Sequence, residues 1–284
     1  MLTGSGLRCA VLGTPIGHSL SPALHRAAYD ALGLDWSYDA IEVDDAGLAG
    51  FLAGLDDSWR GLSLTMPLKR RMLELLGPAD EVDRWARLAG AANTLVLGPT
   101  RLAANTDVPG AVAALRPVGA VQHAVVLGGG ATAGSVLLAL AELGCSSATV
   151  LARSPERAAE AVTAADRHPA RLDVEVLPLC GDGDGPALGG PAPDLVVSTI
   201  PAAAQSPTLV ASLDDVPAVF DVVYDPWPTP LAAAALQTGR TLVGGLDLLV
   251  EQAVLQVRLM TGVADVPVAA MREAGEQALA ARRG

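Results

Sequence analysis

Lys69 is the only lysine in a chain that carries 18 arginines. Arginine stays protonated at any working pH, whereas a lysine can give up and regain a proton, so this position is a candidate proton donor. It closes the run Gly61-Leu62-Ser63-Leu64-Thr65-Met66-Pro67-Leu68, whose alternation puts Ser63 and Thr65 on one face of a strand. The only two asparagines, Asn93 and Asn105, stand in Ala91-Ala92-Asn93-Thr94 and Ala103-Ala104-Asn105-Thr106, and Asp107 follows at once. These segments add amides and a carboxylate to the lysine. Further upstream, Gly17-His18-Ser19-Leu20-Ser21-Pro22 sets two hydroxyls where a helix begins, with Ser21 read as N-cap and Pro22 at N1. Free N–H groups at such an end suit a carboxylate.

A different chemistry is written in Val125-Val126-Leu127-Gly128-Gly129-Gly130-Ala131-Thr132-Ala133, a G-x-G-x-x-A pattern that ends a strand and opens a helix. Gly128 permits the tight turn, Gly130 lets backbone approach a pyrophosphate, and Ala133 allows close helix packing. The next strand, Thr149-Val150-Leu151, ends in Ala152-Arg153-Ser154 with Arg157 one turn on. An NAD site would place a carboxylate there; arginine instead neutralises a 2′-phosphate, which favours NADP(H). The four histidines show no metal-ligand spacing and read as structural or surface residues, and no metal is expected.

The elements that must hold these groups alternate strand and helix nearly throughout, the pattern of βα architecture with parallel sheets. Strands are expected at 8–13, 36–43, 61–65, 123–127, 148–152, 172–177, 195–200, 218–223 and 241–243. Residues 94–97 and 101–104 form a hairpin. Helices are expected at 22–32, 46–55, 68–76, 80–88, 107–115, 135–143, 155–167, 246–260 and 268–282, and 181–193 as a loop rich in Gly, Pro and Asp. With 284 residues, against roughly 100–200 per domain, two domains are expected. A net charge of −12 and 3% aromatic residues argue against nucleic acid. The uncharged stretch from Pro117 to Ala141 is too broken by Pro, Gln, His and Gly to span a membrane. Three scattered cysteines without CxxC, and no signal-like start, fit reduced thiols in the cytoplasm.

Taken together and in order, the Gly13-Thr14-Pro15-Ile16-Gly17-His18-Ser19-Leu20-Ser21-Pro22 segment, Thr65-Met66-Pro67-Leu68-Lys69, Ala92-Asn93-Thr94, Asn105-Thr106-Asp107, the glycine turn, Tyr224-Asp225-Pro226-Trp227-Pro228-Thr229-Pro230 and Gly245-Leu246 through Gln252 resemble the shikimate dehydrogenase family over nearly the whole chain. The resemblance implies a discontinuous α/β substrate domain plus a Rossmann-like, parallel-sheet dinucleotide-binding domain. Its pieces would be residues 1–107, an inserted NADP-binding domain at 108–244, and helices at 245–284 returning to the substrate domain. It implies NADPH-dependent reduction of 3-dehydroshikimate, with Lys69 and Asp107 as the catalytic pair. Ser19 and Ser21 would hold the substrate carboxylate with Thr65 and Tyr224 nearby, while Asn93, Asp107 and Gln252 bind ring hydroxyls, with Ser63 beside them. Gly128, Gly129, Gly130, Ala131 and Thr132 would cover the pyrophosphate. Arg153, Ser154 and Arg157 would meet the 2′-phosphate, Gly245 would lie near the nicotinamide, and Val222 would also bind the cofactor. The implied partner is a small molecule, with the chain a monomer or homodimer. Three departures stand out: Ser63 and Ala152 replace frequent asparagines, and Ser198-Thr199-Ile200-Pro201 replaces an Asn-containing strand end.

Two rivals share the fold. An NAD-dependent quinate/shikimate dehydrogenase is disfavoured by Arg153 where an acid would stand. A non-catalytic, cofactor-sensing module is disfavoured by the presence of both Lys69 and Asp107, which a sensor does not need.

Overall fold

Five apolar or small residues in a row after Arg8 are buried on both faces, so Arg8–Gly13 forms an interior strand, β1. In the computed structural model, which describes residues 6–179 and 190–282, β1 pairs in parallel with β2 (Ser37–Glu42) and β3 (Trp59–Leu64). Helices α1 (Ser21–Ala31), α2 (Leu48–Ala53), α3 (Leu68–Glu74) and α4 (Arg84–Ala89) join these strands to β4 (Glu81–Val82), β5 (Thr94–Val96) and β6 (Leu102–Ala104). The sheet order is β2-β1-β3-β5-β6-β4, with β5 antiparallel to both β3 and β6. Leu12, Leu62, Leu64, Leu68 and Leu95 make its core with Met72. Each such side chain contributes roughly 1.5–3 kcal/mol on burial.

The glycine-turn strand opens a second sheet. After α5 (Asp107–Leu115) come β7 (His123–Leu127), α6 (Ala131–Glu142), β8 (Ser147–Ala152), α7 (Pro155–Asp166) and β9 (Asp173–Pro178). The second half continues with β10 (Leu195–Ser198), α8 (Pro207–Ala211), β11 (Ala218–Asp221), α9 (Pro230–Thr238) and β12 (Thr241–Val243). The order is β12-β11-β10-β7-β8-β9 with every pairing parallel. This is the doubly wound order that reverses at β7/β10, where dinucleotides bind. Two long helices, α10 (Gly245–Thr261) and α11 (Val268–Ala281), end the chain. Two units separate: Met1–Thr106 with Leu249–Gly284, and Asp107–Leu248.

Several local expectations shift. Ser21 is not a cap but the first helical residue of α1; Leu20 holds the cap position without a side-chain bond. Residues 80–88 are not one helix. Glu81–Val82 pairs with β6, and Asp83 then caps α4 by accepting from the Ala86 N–H at 2.6 Å. The helix α6 begins four residues before its expected start, directly at the glycine turn. Helices α8 and α9 were not expected, because Pro207–Ala211 and the alanine-rich Pro230–Thr238 have little apolar periodicity; Ser206 and Thr229 cap them. Most of the expected 181–193 loop, together with Cys180, lies outside the described residues. Cys9 and Cys145 are buried free thiols. Among the described residues no helix is long and apolar enough to cross a membrane, and no group of His, Cys, Asp or Glu could hold a metal ion.

Candidate functional site

In the first unit Ser63, Asn93 and Gln252 join one buried hydrogen-bond network. Asn93, 2% exposed, enters β5, and its backbone segment is tied to the lysine: the Ala92 N–H donates to the Lys69 carbonyl at 2.7 Å. Asn93 Oδ1 accepts from the Thr106 N–H at 2.8 Å and from the Thr94 hydroxyl at 2.9 Å. Its Nδ2 donates to Thr106 Oγ1 at 2.9 Å and, over a longer 3.3 Å, to Gln252 Oε1 on α10. The Gln252 amide nitrogen is spent on the Leu249 carbonyl at 3.0 Å, so its oxygen is the end turned to Asn93. Asp107, which follows Thr106, is buried as the first residue of α5. The other asparagine is structural: Asn105 Nδ2 donates to the Ala91 carbonyl at 2.9 Å, so the two Ala-Ala-Asn-Thr segments bracket the β5–β6 hairpin.

The hydroxyls upstream are also placed by neighbours. Ser19 Oγ accepts from the Ser21 N–H at 3.3 Å. Ser63, 3% exposed, accepts from the Tyr38 hydroxyl at 2.6 Å and donates to Gln256 Oε1 at 2.9 Å. Its proton is therefore spent inside the protein, and only a lone pair is left to offer. Thr65 lies just past the end of β3, half-buried. Tyr38 is stacked on His25, with ring centroids 3.9 Å apart and planes at 19°. Burial raises the Tyr38 hydroxyl pKa, opposed first by its bond to Ser63 and then by Ser21. Sequence reasoning missed Tyr38, Thr94, Thr106 and Gln256. The only signal was polarity at apolar element ends, and for Gln256 its position four residues after Gln252 on one helix face.

His25 has no solvent exposure. Its Nδ1 lies 2.9 Å from the Ser21 carbonyl, and Nε2 has no hydrogen-bond partner. Burial lowers its pKa from 6.5 to about 4, against the raising effect of the Ser21 carbonyl. Between those values the unfolded chain binds a proton that the native chain refuses, so stability is full above about pH 6.5 and is lost as pH falls toward 4. The shift corresponds to about 3 kcal/mol. Denaturant unfolding followed from pH 7 to 4 is expected to show a flatter stability profile for His25→Gln than for the wild type. Parallel profiles would mean that His25 titrates normally.

In the second unit the glycine turn has the properties a dinucleotide requires. Gly128 has φ +107°, a left-handed conformation, and a side chain there would collide with Thr199 Oγ1. The space over Gly130 is open, and no side chain caps the start of α6, which leaves its N–H groups to an anion. Ala131 and Thr132 form that first turn, and Gly129 lies in the turn before it. Arg153 is exposed immediately after the end of β8. Ser154 precedes α7 and bonds the Glu156 carboxyl, which is held below its usual range first by its own backbone N–H and then by this hydroxyl. The side chain of Arg157 lies outside those described. These features fit NADP.

A second buried network shapes the segment that follows β11. Asp221, with no exposure, accepts from the Thr229 hydroxyl at 2.6 Å, the Gln205 amide at 2.9 Å and the Val223 N–H at 3.1 Å. Burial pushes its carboxyl up, and these three donors oppose the shift. The clasp fixes both ends of 222–229, the segment that carries Val222 and Tyr224. Gly245 starts α10 against it, and a Cβ there would lie 2.7 Å from the carbonyl carbons of Val222 and Val223. The Ser198 hydroxyl at the end of β10 accepts from the same Gln205 amide at 3.0 Å.

Comparison with known proteins agrees with this arrangement. Residues 11–95 match the family model described as the shikimate dehydrogenase substrate binding domain, and residues 245–274 the shikimate 5'-dehydrogenase C-terminal domain. The NADP(+) shikimate dehydrogenase of Moorella thermoacetica is 36% identical over 97% of this chain and 94% of its own. The crystal structure of Mycobacterium tuberculosis shikimate dehydrogenase matches with a TM-score of 0.82 at 41% identity, covering 97% of this chain and 99% of the other. The shikimate 5-dehydrogenase of Thermus thermophilus, solved in complex with NADP(H) and shikimate, matches with a TM-score of 0.78 at 32% identity, covering 96% and 99%. The chain belongs to the shikimate dehydrogenase family.

Proposed function

We propose that this chain is an NADP-dependent shikimate dehydrogenase, reversibly reducing the ring carbonyl of 3-dehydroshikimate to the hydroxyl of shikimate. The observation that carries the reading is the sole lysine, bonded through its carbonyl to the segment that presents Asn93, within a chain similar to NADP(+) shikimate dehydrogenases over nearly its full length. When bound, NADPH supplies the hydride. The chain's own work is to hold both molecules and to move one proton. Lys69 gives its ammonium proton to the ring oxygen as negative charge develops there, and Asp107 orients the lysine and the substrate.

Residues 1–107 and 245–284 form the substrate domain and 108–244 the cofactor domain. Asn93 and Gln252 hold ring hydroxyls, with the Ser63 oxygen and Asp107 beside them. Ser19 and Ser21 take the substrate carboxylate, with Thr65 and Tyr224 near it. Gly128 through Thr132 hold the pyrophosphate and Arg153, Ser154 and Arg157 the 2′-phosphate; Gly245 lies near the nicotinamide, and Val222 also binds the cofactor. The working form is a monomer or a homodimer.

Ser19→Ala is expected to raise KM for shikimate and to lower kcat/KM about tenfold to a hundredfold, since a hydrogen bond to a charged group contributes roughly 1.5–3 kcal/mol. NADP binding should be unchanged. An unaltered kcat/KM would remove Ser19 from the carboxylate site. The function itself is tested by product identity: 3-dehydroshikimate and NADPH should give shikimate and NADP in equal amounts. No shikimate in the product would refute the reading.

A further inference from the structure

The last helix of the chain ends on the segment that carries Ser19. Met271 and Gly275, the buried residues of α11, lie one turn apart, and Arg282 follows Met271 by about three whole turns and so returns to the same face. The helix packs along α1, and both belong to the first unit. Arg282 therefore reaches the residues just ahead of α1. Its Nη1 donates to the His18 carbonyl at 2.8 Å, and its Nη2 to the Ser19 carbonyl at 3.4 Å. A guanidinium is a rigid planar fork, so two successive carbonyls suit it as a seat. Carbonyls carry dipoles and no net charge. They hold the cation in place without neutralising it.

The groups assigned above to the substrate carboxylate, Ser19, Ser21 and nearby Thr65 and Tyr224, all offer hydroxyls. Neutral donors orient a carboxylate but do not offset its charge, and the chain as a whole carries −12. An acid also stands on the same segment, where the Thr14 hydroxyl donates to Glu42 at 2.8 Å. An anionic substrate approaching Ser19 is thus opposed by the general field of the protein. A guanidinium bonded to the Ser19 carbonyl brings a permanent positive charge to that residue. We propose that Arg282 is a positioning residue for the substrate: seated on the His18 and Ser19 carbonyls, it supplies the positive charge that draws the substrate carboxylate to Ser19. It needs no contact with the substrate, because unit charges still interact across several ångströms at a protein surface. The inference rests on the proposed role of Ser19.

The test is steady-state kinetics of Arg282→Gln and Arg282→Lys with NADP and two substrates, shikimate and its uncharged carboxamide. Arg282 is exposed, so both variants should fold. For Arg282→Gln, KM for shikimate should rise roughly three- to tenfold while kcat stays within about twofold of the wild type. Arg282→Lys keeps the charge and should stay within about twofold of the wild type in both constants. With the carboxamide, wild type and Arg282→Gln should agree within about twofold, because no anion is left to attract. At about 1 M salt, where the screening length is only about 3 Å, the wild-type advantage on shikimate should shrink. An equal rise in KM for both substrates, a loss in Arg282→Lys as large as in Arg282→Gln, or a difference that salt leaves untouched would make Arg282 a tether of the chain end and overturn the proposal. An unchanged KM for shikimate in Arg282→Gln would overturn it as well. In each of those cases a wild-type chain that oxidises shikimate with NADP leaves the proposed function standing. A wild-type chain that does not oxidise shikimate overturns the proposed function and this inference with it.

Discussion

Lys69→Ala is expected to lower kcat for shikimate oxidation by about 10²–10⁴-fold, the usual worth of a positioned acid–base group, while KM changes much less. Reducing a ketone places negative charge on its oxygen, and the barrier depends on a donor that stabilises this charge and then releases a proton. Lysine can do both. Arginine can do only the first, because its proton is not released at any working pH. Lys69→Arg should therefore keep the charge and fail to restore the rate. The background makes this contrast informative: 18 of the 19 Lys and Arg positions are already arginine, and this one is not. Removing Asp107 as well should add little to the loss from Lys69 alone, since members of one catalytic unit are strongly non-additive. Near-wild-type kcat for Lys69→Arg across pH would exclude proton transfer by this lysine.

The second large effect is expected at the cofactor. Arg153→Asp replaces a cation with an anion at the end of β8, where a ribose phosphate would stand. Catalytic efficiency with NADP should fall about 10²-fold or more, through a lost charge-assisted hydrogen bond and a new repulsion. Efficiency with NAD, which has no phosphate there, should change little or rise, because a carboxylate suits a ribose hydroxyl. Glu156, which shares a hydrogen bond with Ser154, already sets one negative charge close by. Its presence makes the arginine charge more necessary for NADP. Equal losses with both cofactors would place Arg153 in a structural role.

The central strands of the second unit were legible in sequence because they are buried on both faces. Runs such as Ala124–Leu127 and Leu195–Ser198 read as strands without any knowledge of their partners, and the glycine turn marks the crossover. What stayed hidden depended on contacts between distant residues. Glu81–Val82 becomes a strand only because β6 is there to pair with it. Ser21 gives up the capping role its residue type suggests because the preceding Leu20 is already helical in conformation. The proposed site residues Lys69, Asn93, Asp107 and Gln252 were nameable from residue types and family motifs. Tyr38, Thr94, Thr106 and Gln256 were not, since their roles lie in hydrogen bonds spanning up to 193 positions of sequence. The same is true of Asp221, which looks like an ordinary strand end until Gln205, Val223 and Thr229 are seen around it.

The central claim, an NADP-linked dehydrogenase for shikimate, is tested most directly by one matched assay. Reduced-nicotinamide absorbance would be followed with shikimate or quinate, each against NADP or NAD, and kcat/KM compared across the four combinations. Shikimate with NADP is predicted to exceed every other pairing, by about tenfold or more over NAD, the factor expected of roughly one charge-assisted contact to the 2′-phosphate. Equal efficiency with NADP and NAD, or a preference for quinate with NAD, would contradict the account.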